Sequence, residues 1–184
     1  MFKDAGIIDT ASAYLGRQVK LIDVNPQIND PSDDFWKKEF PDIKGDLPSC
    51  AYFHRDASGG DIKVIIYMSD VGHENGAFGY VLGSHMMPLK KSYDHVSEAN
   101  DSNGLAATDP KSRRIFSSLP ALLRLKGSFG NDVLDDSELA KLIGDSKWQI
   151  TADKGAIVMF DTKGIHRGGM VTSGERQVIT CVIG

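Results

Sequence analysis

The chain has few cysteines, few aromatic residues and no long apolar runs, and each shortage excludes a class of protein. Its two cysteines, Cys50 and Cys181, have neither CxxC spacing nor neighbouring histidines. They define no disulfide framework and no zinc site, and both read as buried thiols acting as small hydrophobes. No apolar stretch approaches the length of a membrane span, and the N-terminus carries an early acid, Asp4, in place of a signal-peptide pattern. The expectation is a soluble, cytoplasmic protein. Blocks of like charge are also missing: 21 basic and 25 acidic residues are interspersed and leave a net charge of -4. That distribution gives no footprint for nucleic acid or an anionic membrane, and points to a small-molecule or protein partner. Internal repeats and low-complexity segments are absent, which excludes a solenoid.

What is present is enough for one core. A chain of 184 residues with 41% hydrophobic content fits a single domain over 1–184. Residues 7–15 read as a short helix stopped by Gly16, and 18–24 as a strand running into turns at Asn25-Pro26 and Asp30-Pro31-Ser32. The aromatic residues Phe35, Trp36 and Phe40, with lysines between them, suggest a helical turn in 35–40.

From residue 50 the pattern becomes β. Short β-branched or aromatic runs at 50–54, 62–68, 78–82, 148–151, 156–160 and 177–183 are separated by glycine-bearing turns, among them Glu74-Asn75-Gly76 and Ser173-Gly174. The fold class is mainly β, with antiparallel neighbours. A different kind of sequence, at about 86–147, reads as an insertion or lid. It holds a helix candidate at 119–125 and a second one opened by the capping-box pair Asp135 and Glu138, with Leu139, Leu142 and Ile143 on one face and Gly144 as its stop.

The chemistry concentrates in His54-Arg55-Asp56. A strand repeats every two residues, so an imidazole and a carboxylate at this spacing point to one face, where one metal can take both. A third ligand should come from a distant strand ending at the same mouth, and His166, after the run 156–160, stands there. Two neutral imidazoles and one carboxylate form the facial triad that suits non-haem Fe(II) and leaves positions open for a two-oxygen cosubstrate and O2. Arg176, one turn further at the start of the last strand, offers a guanidinium fork for a carboxylate. Tyr52 shares the face of His54 and can touch cosubstrate or substrate.

These elements resemble the phytanoyl-CoA dioxygenase-like family of Fe(II)/2-oxoglutarate-dependent oxygenases. The matching pieces are His54-Arg55-Asp56, the stretch Asn75-Gly76-Ala77-Phe78-Gly79-Tyr80-Val81-Leu82-Gly83-Ser84-His85, distal His166, and Arg176. Two departures stand out: Leu82 replaces the proline usual before Gly83, and the region before His54 is shorter than the family's. The resemblance implies a double-stranded β-helix (a cupin-like jelly roll) with flanking helices and a helical insertion. It further implies iron on His54, Asp56 and His166, with 2-oxoglutarate on the metal and Arg176. The implied reaction is hydroxylation of a small organic substrate coupled to decarboxylation of 2-oxoglutarate to succinate and CO2. Asp56 occupies the position where related halogenases carry a small residue, which disfavours halogenation.

Plainer readings compete at each position. An isolated HxD is more often a strand-end salt bridge, His166 a capped loop histidine, and Arg176 the partner of a nearby acid. His73 belongs to a hairpin turn, His85 to structural hydrogen bonding, and His95 to a polar run. Trp36 and Trp148 are expected in the core. Arg55 suits a surface ion pair, whereas Arg167, beside a metal ligand, is a candidate clamp for a substrate anion. The alternatives to an oxygenase are a non-catalytic jelly roll that binds a metal or ligand, and a cupin-type dioxygenase without cosubstrate, which brings more histidines to its metal than are available here.

Overall fold

The computed structural model describes residues 2, 4–32, 53, 56, 60–86 and 144–184. Helix α1, Ile7–Leu15, closes on Gly16 in the left-handed conformation, with the Arg17 N–H returned to the Ser12 carbonyl, as the sequence indicates. Among the described residues seven strands follow: β1 Leu21–Asn29, β2 Ile62–Tyr67, β3 Phe78–Val81, β4 Lys147–Ile150, β5 Ile157–Asp161, β6 His166–Arg167 and β7 Arg176–Ile183. They form two antiparallel sheets, one ordered β1-β7-β2-β5 and the other β4-β3-β6. Among the described residues the architecture is mainly β with antiparallel sheets, as expected.

The first sheet is buried on both faces in its centre, and strand alternation sorts its residues. Ile62, Val64 and Ile66 of β2, with Cys181 and Ile183 of β7, face α1 through Ile7 and Ala11. Ile65 and Tyr67 of β2, with Val158, Phe160 and Val178, face the second sheet and meet Phe78 and Tyr80 there. Cys181 is fully buried, and burial pushes its thiol up, in keeping with an inert core cysteine. The Tyr67 hydroxyl ties the sheets together: it donates to the Ile150 carbonyl at 2.9 Å and accepts from the Phe78 N–H at 3.2 Å.

Several expectations need correction. Asn25-Pro26 is not a turn, because β1 runs through it and pairs Pro26 with Ile179. Proline is tolerated since β1 is an edge strand, whose outer N–H groups need no partner. Trp148 lies on β4, at the edge of the smaller sheet, and is 52% exposed rather than core. Gly144 opens a short 3-10 turn, Gly144–Ser146, leading into β4. The helix candidates of the insertion, the segment 35–40, Trp36, Cys50 and His95 lie outside the described residues. Among the described residues no helix is long and apolar enough to cross a membrane.

One crossing of backbones depends on glycine. Gly76 and Gly169 both have φ of 77° and abut each other; a Cβ on Gly169 would fall 2.5 Å from the Ala77 carbonyl oxygen and 2.6 Å from that of Gly76. Asn75 locks the same crossing, accepting from the Gly72 N–H and donating to the Ser173 carbonyl, each at 3.1 Å. Gly169→Ala should therefore lose at least about 2 kcal/mol of stability, from steric overlap added to left-handed strain. Gly16→Ala, with open space around its Cβ, should lose only about 1 kcal/mol. Denaturant titration of the two variants checks the order; equal losses would contradict the steric argument.

A second test concerns α1. Tyr14 donates to the Asp161 carboxylate at 2.7 Å, and this bond, with some burial and the negative charge of Asp161, pushes its pKa from 10.0 up to about 12. The folded state thus holds a proton that the unfolded chain releases. Its contribution is complete below pH 10 and is lost as pH rises toward 12. Tyr14→Phe should flatten the stability profile in that alkaline window while leaving the wild-type slope near neutrality, as thermal melts across pH would show.

Candidate metal centre

His166 lies on β6, paired through Tyr80 to β3 and buried between the sheets at 4% exposure. Its ring touches Phe160 of β5, with centroids 4.8 Å apart, and Phe78 of β3 at 6.0 Å. Nδ1 lies 2.9 Å from the Gly164 carbonyl, a hydrogen bond that makes Nδ1 the protonated nitrogen and leaves Nε2 to face inward. Gly164 cannot carry a side chain, because Tyr80 Oη, which donates to the Asp161 carbonyl, occupies that space.

Facing Nε2 at 3.6 Å is Asp56 Oδ1. The Asp56 backbone is fixed by its N–H bond to the Thr162 carbonyl, so the loop after β5 holds the carboxylate against the loop that leads to His166. Two of the three expected ligands, 110 positions apart in the sequence, thus meet. His54 and Tyr52 lie outside the described residues, and among the described residues no set of three metal-binding side chains occurs. The donors that are described fit a cation: an imidazole nitrogen and a carboxylate oxygen, both on side chains shielded from water. Their 3.6 Å separation is one that a single ion with bonds of about 2.1 Å can span.

A residue that the sequence reading missed completes the group. Lys63 Nζ stands 2.6 Å from the other Asp56 oxygen, Oδ2, as an ion pair. The signal was available, since Lys63 is the lone charge in the run Ile62–Tyr67 and shares its parity with the inward Ile65 and Tyr67.

Arg176 begins β7 and is 6% exposed. Nη1 donates to the carbonyls of Gly76 and Gly168, while Nε and Nη2 both donate to Asn29 Oδ1, at 3.3 and 2.9 Å. Asn29 sits opposite it in register on β1. Alternation puts Asn25 and Gln27 on the same face as Asn29, so the β1 side of the inter-sheet space is polar, whereas the β5 side is lined by Val158 and Phe160. A cavity of about 330 Å³ opens around the β5 edge, bounded by Phe78, Tyr80, Trp148 and Ile150 on the second sheet, by Val158 and Phe160, and by Ala11 and Tyr14 of α1.

The remaining candidates take other roles. Arg167 is buried with its guanidinium 4.5 Å above the Phe53 ring, and Gly79 leaves room for that stack. His73 is exposed in a turn, as expected. His85 Nδ1 has no hydrogen-bond partner among the described residues, where Ser84 Oγ donates to the Val81 carbonyl and accepts from the Ile165 N–H.

No family model matches the sequence, and no curated protein matches it. Solved structures do. The epimerase SnoN from nogalamycin biosynthesis, in complex with Fe3+, alpha ketoglutarate and nogalamycin RO, aligns with a TM-score of 0.55 at 13% identity, over 96% of this chain and 54% of that one. EctD from S. alaskensis with bound Fe gives 0.51 at 14% identity, over 98% and 50%. The non-heme alpha ketoglutarate dependent carbocyclase SnoK from nogalamycin biosynthesis gives 0.50 at 15%, over 96% and 54%. The likeness is one of fold. The chain spans about half the length of the structures it matches.

If Asp56 and His166 share an ion, removing either donor must weaken it. Asp56→Asn and His166→Ala should each reduce Mn(II) affinity by at least about tenfold, a single-ligand effect no smaller than the loss of an outer-shell partner. Titration calorimetry decides it, and undiminished binding in both variants would place the ion elsewhere.

Proposed function

We propose that this protein is a non-haem Fe(II) oxygenase that uses 2-oxoglutarate and O2 to hydroxylate a small organic substrate. The observation that carries the reading is the pairing of His166 Nε2 with Asp56 Oδ1 at 3.6 Å, His166 being presented by β6 and Asp56 by its backbone bond to the loop after β5. The strand orders β1-β7-β2-β5 and β4-β3-β6 support the double-stranded β-helix that the phytanoyl-CoA dioxygenase-like resemblance implies. The fold shared with SnoN, SnoK and EctD, described as alpha-ketoglutarate-dependent or iron-bound, supports the same cofactor pair. In this reading 1–184 is one catalytic domain and 86–147 its lid.

Iron would be held by His54, Asp56 and His166, and when bound it supplies activation of dioxygen at the positions the triad leaves open. The chain does the rest. Gly164 fixes the His166 tautomer through Nδ1, so that Nε2 is the ligating atom. The Phe78 and Phe160 rings seal one flank of that imidazole from water. Arg176 is the anchor for the far carboxylate of 2-oxoglutarate; Asn29, its acceptor, would have to yield donors to the incoming anion. Tyr52 borders the cosubstrate. The 330 Å³ cavity beyond Phe78 and Phe160 has the size and apolar lining of a small-molecule pocket.

A second reading has one observation in its favour. The charge pair of Lys63 with Asp56 also suits a jelly-roll protein that binds a ligand without turnover, with Asp56 serving as a structural counter-ion. Anaerobic addition of Fe(II) and 2-oxoglutarate separates the two. The oxygenase should develop the weak visible charge-transfer band of metal-chelated cosubstrate, and His166→Ala should lack it. A wild-type protein without the band would favour the non-catalytic reading.

A further inference from the structure

We infer that Lys63 is a displaceable counter-ion: it holds Asp56 while no metal is bound, and its ammonium, released when a divalent cation takes the carboxylate, then binds a carboxylate of the incoming ligand. The inference rests on the metal site proposed above and deepens it, by making metal loading and carboxylate loading a coupled event that one lysine controls.

Lys63 lies on the inward face of β2, between Phe160 of β5 and Val182 of β7 in register. Its side chain is 29% exposed and that of Asp56 17%, so the pair is largely removed from water and its attraction is stronger than that of a surface pair. The Nζ contact is on Oδ2, at 2.6 Å, while Oδ1 faces His166 Nε2 at 3.6 Å. One carboxylate thus serves two cationic or cation-seeking neighbours. A dication placed between Oδ1 and Nε2 would stand within a few ångströms of the Lys63 ammonium in a shielded space, and like charges there repel strongly. Either the ion binds weakly or the lysine leaves.

Where it goes is set by its surroundings. Its register neighbours Phe160 and Val182 carry no anion, and an ammonium partly shielded from water is stabilised by one. Arg176, the other cation of the inner face, already spends Nη1, Nη2 and Nε on Gly76, Gly168 and Asn29. Lys63, beside the metal-side carboxylate Asp56, is therefore the cation placed to receive the carboxylate of a 2-oxo acid that lies next to the metal, while the far carboxylate of 2-oxoglutarate stays with Arg176. The chemistry recognised is the near carboxylate of a 2-oxo acid, and the experiment compares acids with and without a far one.

The test measures Mn(II) binding to wild type, Lys63→Met and Lys63→Arg, by the loss of the free Mn(II) resonance, alone and with saturating 2-oxoglutarate or pyruvate, which lacks the far carboxylate. Wild type should bind Mn(II) weakly alone and at least about tenfold more tightly with 2-oxoglutarate. Lys63→Met should bind Mn(II) alone about tenfold more tightly than wild type and lose most of the gain from 2-oxoglutarate, whereas Lys63→Arg, which keeps the charge, should behave as wild type. Because the far carboxylate belongs to Arg176, pyruvate should keep the part of the gain that depends on Lys63, and Lys63→Met should lose it with both acids. If Lys63→Met keeps the wild-type gains from 2-oxoglutarate and pyruvate, carboxylate capture by the lysine is overturned. Should Mn(II) bind wild type and Lys63→Met equally, or bind the variant less well, the counter-ion inference is overturned and the metal site survives. Failure of every protein to bind Mn(II) would instead remove the metal reading and this inference with it. Near-ultraviolet dichroism confirms that each variant keeps the wild-type packing.

Discussion

The register of β2 is the constraint on which the rest of the molecule depends. Its six residues alternate between two buried environments, Ile62, Val64 and Ile66 against α1, and Ile65 and Tyr67 against the second sheet. A slip of one residue would turn every side chain to the opposite face, so both cores enforce one pairing with β5 and β7. The same alternation carries Lys63 inward. A lysine that would be solvated on a one-sided sheet is committed here to the inter-sheet space, where Asp56 is the acid it meets. The charge arrangement of the candidate site is in this sense a consequence of core packing.

A second consequence concerns how atoms are assigned within the site. His166 has two nitrogens and Asp56 two oxygens, and the surrounding backbone and Lys63 distinguish them: Gly164 takes Nδ1, Lys63 takes Oδ2, and Nε2 and Oδ1 are left facing each other. Neighbours that engage one donor atom of each ligand fix the orientation of the other, which is how outer-shell contacts define a coordination site. Glycine makes this possible. Gly164 admits Tyr80 beneath the His166 loop, and Gly169 lets the following loop cross Gly76 at backbone contact, which brings the Gly76 and Gly168 carbonyls to Arg176.

The inner faces divide by polarity. Asn25, Gln27 and Asn29 of β1 share a face with Arg176, whereas Val158 and Phe160 of β5 lie at the other end of the same sheet. Charged and hydrogen-bonding groups of a ligand belong on the β1 side, and apolar parts beside Phe78 and Phe160. A site between the two, at Asp56 and His166, sits where both kinds of contact are within reach.

Local signals and periodicity made much of this legible in the sequence. The helix ending at Gly16, the strands at β2, β3, β4, β5 and β7, and the turn glycines at 76 and 174 follow from alternation, β-branching and the φ that only glycine adopts freely. Asp56 and His166 were nameable because a strand-end HxD and a later strand-end histidine are local patterns. Asn25-Pro26 misled because a turn dipeptide and an edge strand have the same sequence; only the sheet order shows which edge needs no donor. Lys63 was passed over because a single charge in an apolar run has no local meaning. Its role required knowing that both faces of β2 are covered and that residue 56 is brought back opposite it, and the energy of a charge depends on the neighbours and the solvent that tertiary structure alone assigns.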